Sequence, residues 1–238
     1  MISDTEISVR IHGPADAPTL VYLPGMHGDW TLVASFRERI LPKVRFVELS
    51  YPRTTTWNLS DYADAIDAAL AAARRVLCRG IDSRGRVCAA SVAVGGRDGA
   101  AARGGDAAGT AEALAQALYP HYARFRLRHA PETLAEMPEF LGRRTEADRQ
   151  AAVHRLRLVR ENDLRSEARA FAGPVHHLTG GIDPIVPWPW VKRWLAKDCP
   201  GYRGARIFWG ADHNVLNSRG AAEQVLEWMR AGPKPRAV

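Results

Sequence analysis

Lysine is nearly missing from this chain: of 33 basic residues only Lys43, Lys192, Lys197 and Lys234 are not Arg. Cysteine is scarce too. Cys78, Cys88 and Cys199 are odd in number and lack metal-ligand spacing, which argues against a disulfide framework and a zinc site. No apolar run approaches the roughly 18 residues of a membrane span, so no membrane association is expected. The opening Met1-Ile2-Ser3-Asp4-Thr5-Glu6 has neither the basic nor the apolar region of a secretory signal, and a cytoplasmic protein is the expectation. The net charge of +7 does not read as a nucleic-acid footprint. Over half of it comes from residues 74–110, where seven Arg outnumber three Asp, and no aromatic side chain interleaves them as a single-strand binder requires. Such an Arg bias is what a GC-rich genome produces without selection for phosphate contacts.

What is present suits one α/β domain. The 238 residues are 46% hydrophobic and 25% charged, ordinary values for a globular chain with a sizeable core. Ile7 to Ile11 alternates apolar and polar, as an edge strand does. Thr19 to Leu23 is continuously apolar, as a strand buried on both faces is, and it runs into the turn Pro24-Gly25-Met26-His27-Gly28-Asp29-Trp30. A helix is expected around Leu32 to Phe36, a strand over Val44 to Leu49, and a helix from about Ser60 with Leu59, Tyr62, Ile66 and Leu70 on one face. This alternation predicts a mostly parallel sheet with helices on both faces.

The pattern then fails. Residues 74–110 contain eight Gly, eight Ala, seven Arg and three Asp, 26 of 37 positions, and no Phe, Trp, Tyr, Met, Pro or Lys. Only Val87 to Val94 reads as a strand. One reading is a flexible Gly/Ala linker, although linkers seldom carry seven arginines. The other is that about 74–115 is translated out of frame. Read one nucleotide later, Arg79-Gly80-Ile81-Asp82 can encode Gly-Glu-Ser, a common opening for a nucleophile turn.

Normal patterning resumes from Ala111. Ala111 to Arg128 and Glu146 to Ala170 read as helical, with Val153, Leu156 and Val159 as an apolar stripe under a solvated Arg/Glu surface. A helical block at about 119–170, ahead of the last strands, is where a lid inserts. After Pro187 a Trp-rich helix follows, with Trp188, Trp190 and Trp194 read as packing residues. Ser218 reads as the cap of a last helix.

Two late segments carry the chemistry. Pro174 to Asp183 and Ile207 to His213 each read as a short strand entering a Gly-containing turn, one presenting the carboxylate of Asp183 and the other the imidazole of His213. An acid followed by a histidine, both at strand ends, is how a serine hydrolase on an open α/β sheet orients its general base. The nucleophile turn Gly-x-Ser-x-Gly is absent. Ser83, in Asp82-Ser83-Arg84-Gly85, is its closest remnant. Ser91 follows a better strand-like stretch but lacks the glycines.

With Leu23-Pro24-Gly25-Met26-His27-Gly28, Ser50-Tyr51-Pro52, Gly181-Ile182-Asp183-Pro184-Ile185-Val186-Pro187 and Gly210-Ala211-Asp212-His213 in this order, the chain resembles the α/β-hydrolase superfamily, in its small bacterial serine hydrolase branch. The resemblance covers 1–73 and about 119–232. It implies a three-layer α/β-hydrolase fold with a small helical lid. It also implies an acyl-serine mechanism on a carboxylic ester or related small-molecule acyl substrate, with no cofactor and no metal. Asp183 would fix the tautomer of His213, His213 would act as base and then acid, and Met26 N–H would be one oxyanion donor. Gly25 and His27 would contact substrate. The plainer alternatives are that Asp183 is a turn carboxylate, that His213 is a cap or core histidine, and that His27 and Asp29 are helix-entry residues. The competing function is a non-catalytic protein that kept the fold and lost its nucleophile.

Overall fold

The computed structural model describes residues 6–77, 88–90, 131–183, 186 and 188–231. Among the described residues, the stretch without periodicity contributes the strand Cys88–Ala90, inside Val87 to Val94. Strands β1 (Ser8–His12), β2 (Thr19–Tyr22), β3 (Arg45–Ser50) and β4 (Cys88–Ala90) form a sheet in the order β1-β3-β2-β4. β1 is antiparallel to β3, whereas β2 runs parallel to both β3 and β4. β5 (Val175–Gly180) and β6 (Tyr202–Phe208) pair in parallel as a second ladder.

Alternate residues of the central strands feed opposite faces. Leu20, Tyr22 and Phe46 pack on one side against Phe36 and Ile40 of α1 (Ala34–Ile40) and against Val225 and Leu226 of the last helix, Ala221–Ala231. Val21, Val47 and Leu49 pack on the other against Ile66 and Leu70 of α2 (Leu59–Leu77). Helices therefore cover both faces, and the stripe read from Leu59 to Leu70 is the covering face. Glu48 of β3 is a fully buried carboxylate within this frame. It accepts hydrogen bonds from Arg37 (2.6 Å) and His12 (3.0 Å), so the buried charge is paired.

The helical block comprises α3 (Pro131–Gly142), α4 (Glu146–Glu161) and α5 (Arg165–Ala170). The single helix expected over Glu146 to Ala170 is thus two. Asn162 leaves helical conformation at φ −106°, ψ 136°, and the Asp163 carboxylate accepts from the Arg165 N–H at 3.1 Å, starting the next turn. The apolar stripe of α4 also faces the other way: Val153 and Leu156 are exposed, and the buried side holds Asp148, Ala151 and Arg155. A capping box between Thr145 and Asp148 fixes the start of α4. The 119–130 part of the expected lid and the helix expected over Ala111 to Arg128 lie outside the described residues.

In α6 (Trp188–Asp198), Trp188 and Trp194 are half-buried, but Trp190 is 70% exposed and is not a packing residue. The last helix, α7, is the Ala221–Ala231 element named above, and it starts later than a Ser218 cap requires. Ser218 instead accepts the Ala221 N–H through its carbonyl, across a turn that Gly220 makes at φ +89°. Among the described residues no helix is long and apolar enough to cross a membrane, and no group of three or more His, Cys, Asp or Glu is arranged to hold a metal ion.

Candidate active site

Asp183 leaves the end of β5 and His213 follows the turn after β6. Because the two strands are parallel neighbours, both turns open at the same edge. Backbone bonds lock them together: Gly181 N–H donates to Phe208 O at 2.9 Å and Ile182 N–H to Ala211 O at 3.1 Å. Trp188 adds an indole N–H to Gly181 O at 3.2 Å. With its backbone held, Asp183 places Oδ2 2.9 Å from His213 Nδ1, while Oδ1 accepts from Val186 N–H at 2.9 Å. The carboxylate is 5% exposed and the imidazole 31%. A carboxylate at Nδ1 makes that nitrogen the donor, so the proton sits on Nδ1 and Nε2 is the accepting, basic nitrogen.

The turn after β2 is equally constrained. Gly28, at φ +80°, donates its N–H to Gly25 O at 2.9 Å, and Tyr51 N–H donates to Gly28 O at 2.8 Å. The φ of +80° favours glycine there, and a Cβ on residue 28 would also lie 2.6 Å from the Arg155 guanidinium. The bond to Gly25 O turns that carbonyl into the turn. The trans peptide therefore directs the Met26 N–H outward. Asp29 is buried as a local cap, accepting from Thr31 N–H (3.1 Å) and Thr31 Oγ1 (2.6 Å), and it pairs with Arg144 at 2.8 Å. It is a helix-entry residue, as one of the two readings had it.

His27 is part of this turn. Its ring lies against Gly25 and meets Phe140 edge-on at 5.7 Å between centroids. Its Nε2 is shielded and has no hydrogen-bond partner among the described residues. Burial pushes its pKa down to about 4; Asp29 opposes this, and the positive fields of Arg144, Arg155 and His213 add to it. The field of His213 is thus among those felt at His27. Of the residues singled out by sequence, Gly25, Met26 and His27 line the turn, Asp183 and His213 form the pair, and Ser83 lies outside the described residues.

The neutral state of His27 has a consequence for stability. Above pH 6.5 neither folded nor unfolded chain holds a proton there. As the pH falls from about 6.5 to about 4, the unfolded chain binds one that the folded chain refuses, so stability drops through that window and levels off below it. His176 and His177, also shifted downward by burial, add to the same slope. Urea unfolding at pH 7.5, 5.5 and 4.5 is expected to show this loss, with a shallower slope in His27→Gln. An unchanged slope would place the His27 imidazole in water.

No family model matches the sequence, and no curated protein matches it. Solved structures do. A thermophilic esterase from Thermogutta terrifontis superposes with a TM-score of 0.63 over 98% of each chain, at 14% identity. An esterase from Exiguobacterium antarcticum gives 0.58 over 94% of each chain at 15% identity, and an enol-lactonase from Burkholderia xenovorans 0.57 over 94% of each at 17%. The chain has the α/β-hydrolase fold.

In this fold the described site is built from more than the expected residues. Sequence reading passed over Arg144, which bonds His27 O (3.2 Å) and Asp29, and Arg155, which bonds Met26 O (2.7 Å) and Pro52 O (3.2 Å). It also passed over Glu136 of α3, whose carboxylate accepts from Ser35 N–H and Oγ at 2.7 and 2.6 Å and from Asn217 at 2.8 Å. The usable signal was the spacing of Asp148, Ala151 and Arg155 at three and four residues, one continuous face of a helix entered through the unread cap pattern Thr145-Glu146-Ala147-Asp148.

Proposed function

We propose that the chain is a serine hydrolase cleaving a carboxylic ester or related small-molecule acyl bond through an acyl-enzyme. The observation that carries this is the 2.9 Å bond between Asp183 Oδ2 and His213 Nδ1, which leaves a basic Nε2 in a chain with the fold of known esterases. His213 takes the proton of a serine hydroxyl and returns it to the leaving alkoxide, Asp183 stabilises the imidazolium between those steps, and Met26 N–H donates to the oxyanion. His27 offers a neutral polar contact to substrate, and the helical block serves as lid.

The nucleophile is Ser91 or Ser83, both outside the described residues. Reacting groups on parallel sheets gather at the C-terminal ends of strands. In chain order Ser91 follows β4 directly, whereas Ser83 precedes it, and this favours Ser91. Fluorophosphonate treatment of the intact chain followed by peptide mapping tests the reading: a phosphonyl group on Ser91, lost in Ser91→Ala, is expected. Folded protein that takes no label at any serine would mean a fold retained without catalysis. The nucleotide sequence across codons 70–120 supplies a second check, because an out-of-frame stretch shows its third-position bias shifted by one place.

A further inference from the structure

We infer that Arg155 is a positioning residue for the oxyanion turn, and that the helical block holds this turn in its working shape. The inference rests on the reading of Met26 N–H as an oxyanion donor. All four carbonyls of the turn are engaged: Gly25 O by Gly28 N–H, Met26 O by Arg155 Nε, His27 O by Arg144, and Gly28 O by Tyr51 N–H. Two of the four donors come from within the loop region of the sheet, and two from arginines 115 or more residues further along the chain. Without those arginines the peptides following Met26 and His27 lose the hydrogen bonds made to their carbonyls among the described residues, and the Met26 N–H, in the peptide just before them, is joined to the first through the Met26 Cα.

Arg155 does more than supply one bond. It is 7% exposed, bonds the ends of the loops after both β2 and β3 through Met26 O and Pro52 O, and lies against Gly28 where any side chain would collide with it. Among the described residues its hydrogen-bond acceptors are carbonyls. A buried guanidinium directed at backbone carbonyls is a fixed fork, a task that the point charge of lysine performs poorly. The geometry therefore separates fork from charge: Arg155→Lys keeps the second and loses the first.

The test compares the full chain with Arg155→Lys, Arg155→Gln and, as a control on the same helix, Arg157→Gln, whose arginine is exposed and pairs with Glu161. Amide hydrogen exchange is followed at Gly28 in the turn, at Tyr51, which donates to it from the end of β3, and at Val47 in the sheet. Turnover is measured on a short-chain p-nitrophenyl ester. Expected for both Arg155 variants is exchange about tenfold faster or more at Gly28 with Val47 unchanged. The expected kinetic signature is kcat lower by on the order of 10²-fold with KM nearly constant, since a misplaced donor acts on the transition state. Wild-type exchange at Gly28 in Arg155→Lys overturns the inference. So does equal acceleration at Gly28 and Val47, which would assign Arg155 to global stability alone. If the unmodified chain hydrolyses no ester, the hydrolase reading fails and the exchange result alone decides the role of Arg155.

Discussion

Replacing His213 by alanine is expected to lower ester turnover by on the order of 10⁴-fold or more, equivalent to about 5.5 kcal/mol of transition-state stabilisation. The imidazole is 31% exposed and its bond to Asp183 lies at the rim, so the melting temperature should move little by comparison. Asp183→Asn should fall almost as far for a different reason. The carboxamide can still accept from Val186 N–H, but its N–H₂ donates toward His213 Nδ1 and drives the ring proton to Nε2, the nitrogen that must receive the serine proton. A pre-steady-state burst with a p-nitrophenyl ester separates the two effects from slow product release. Undiminished turnover in His213→Ala would remove it as the base, and with it the mechanism.

That pair was readable in the sequence because each residue ends a short apolar strand and begins a Gly-containing turn, and strand ends are where parallel sheets expose chemistry. β1, β2 and β3 were legible to within a residue or so for a similar reason: alternation at Ser8 to His12 and continuous apolarity at Thr19 to Tyr22 report one-sided and two-sided burial directly. The helical block was not legible in this way. α4 carries two competing stripes, one apolar through Val153 and Leu156 and one containing Asp148, Ala151 and Arg155, and hydrophobicity favours the wrong one. What turns the second inward is a set of specific bonds, Arg53 to Asp148 at 2.8 Å and Arg155 to Met26 O and Pro52 O, made with loops distant in sequence. A buried arginine among many exposed ones has no compositional mark. The nucleophile stayed illegible for a plainer cause: residues 74–110 hold no Gly-x-Ser-x-Gly, and Gly, Ala, Arg and Asp fill 26 of their 37 positions.

Gly180→Ala is expected to be the most damaging small change to stability among those bearing on the site. A Cβ at residue 180 would lie 2.1 Å from Asp212 O, 2.4 Å from Ala211 O and 2.8 Å from Ala211 C. These are backbone atoms, so no rotamer change relieves the clash; either β5 shifts or the segment leading to His213 does. Overpacking that moves backbone costs about 3 kcal/mol, which for a chain of this size lowers the melting temperature by roughly 6–12 °C. The same displacement stretches the Asp183–His213 bond, because Ile182 N–H and Ala211 O hold the two turns in register. Gly210→Ala is the matched control. Its Cβ would meet nothing within 4 Å among the described residues, and its melting temperature should stay within about 2 °C of the parent, the range of an ordinary surface change. Thermal unfolding of the two variants side by side distinguishes a local packing constraint from a general intolerance of the turn. A Gly180→Ala protein that melts with the parent would mean that residues 211–212 do not pack on the end of β5, and the close approach of acid and base would fail with that contact.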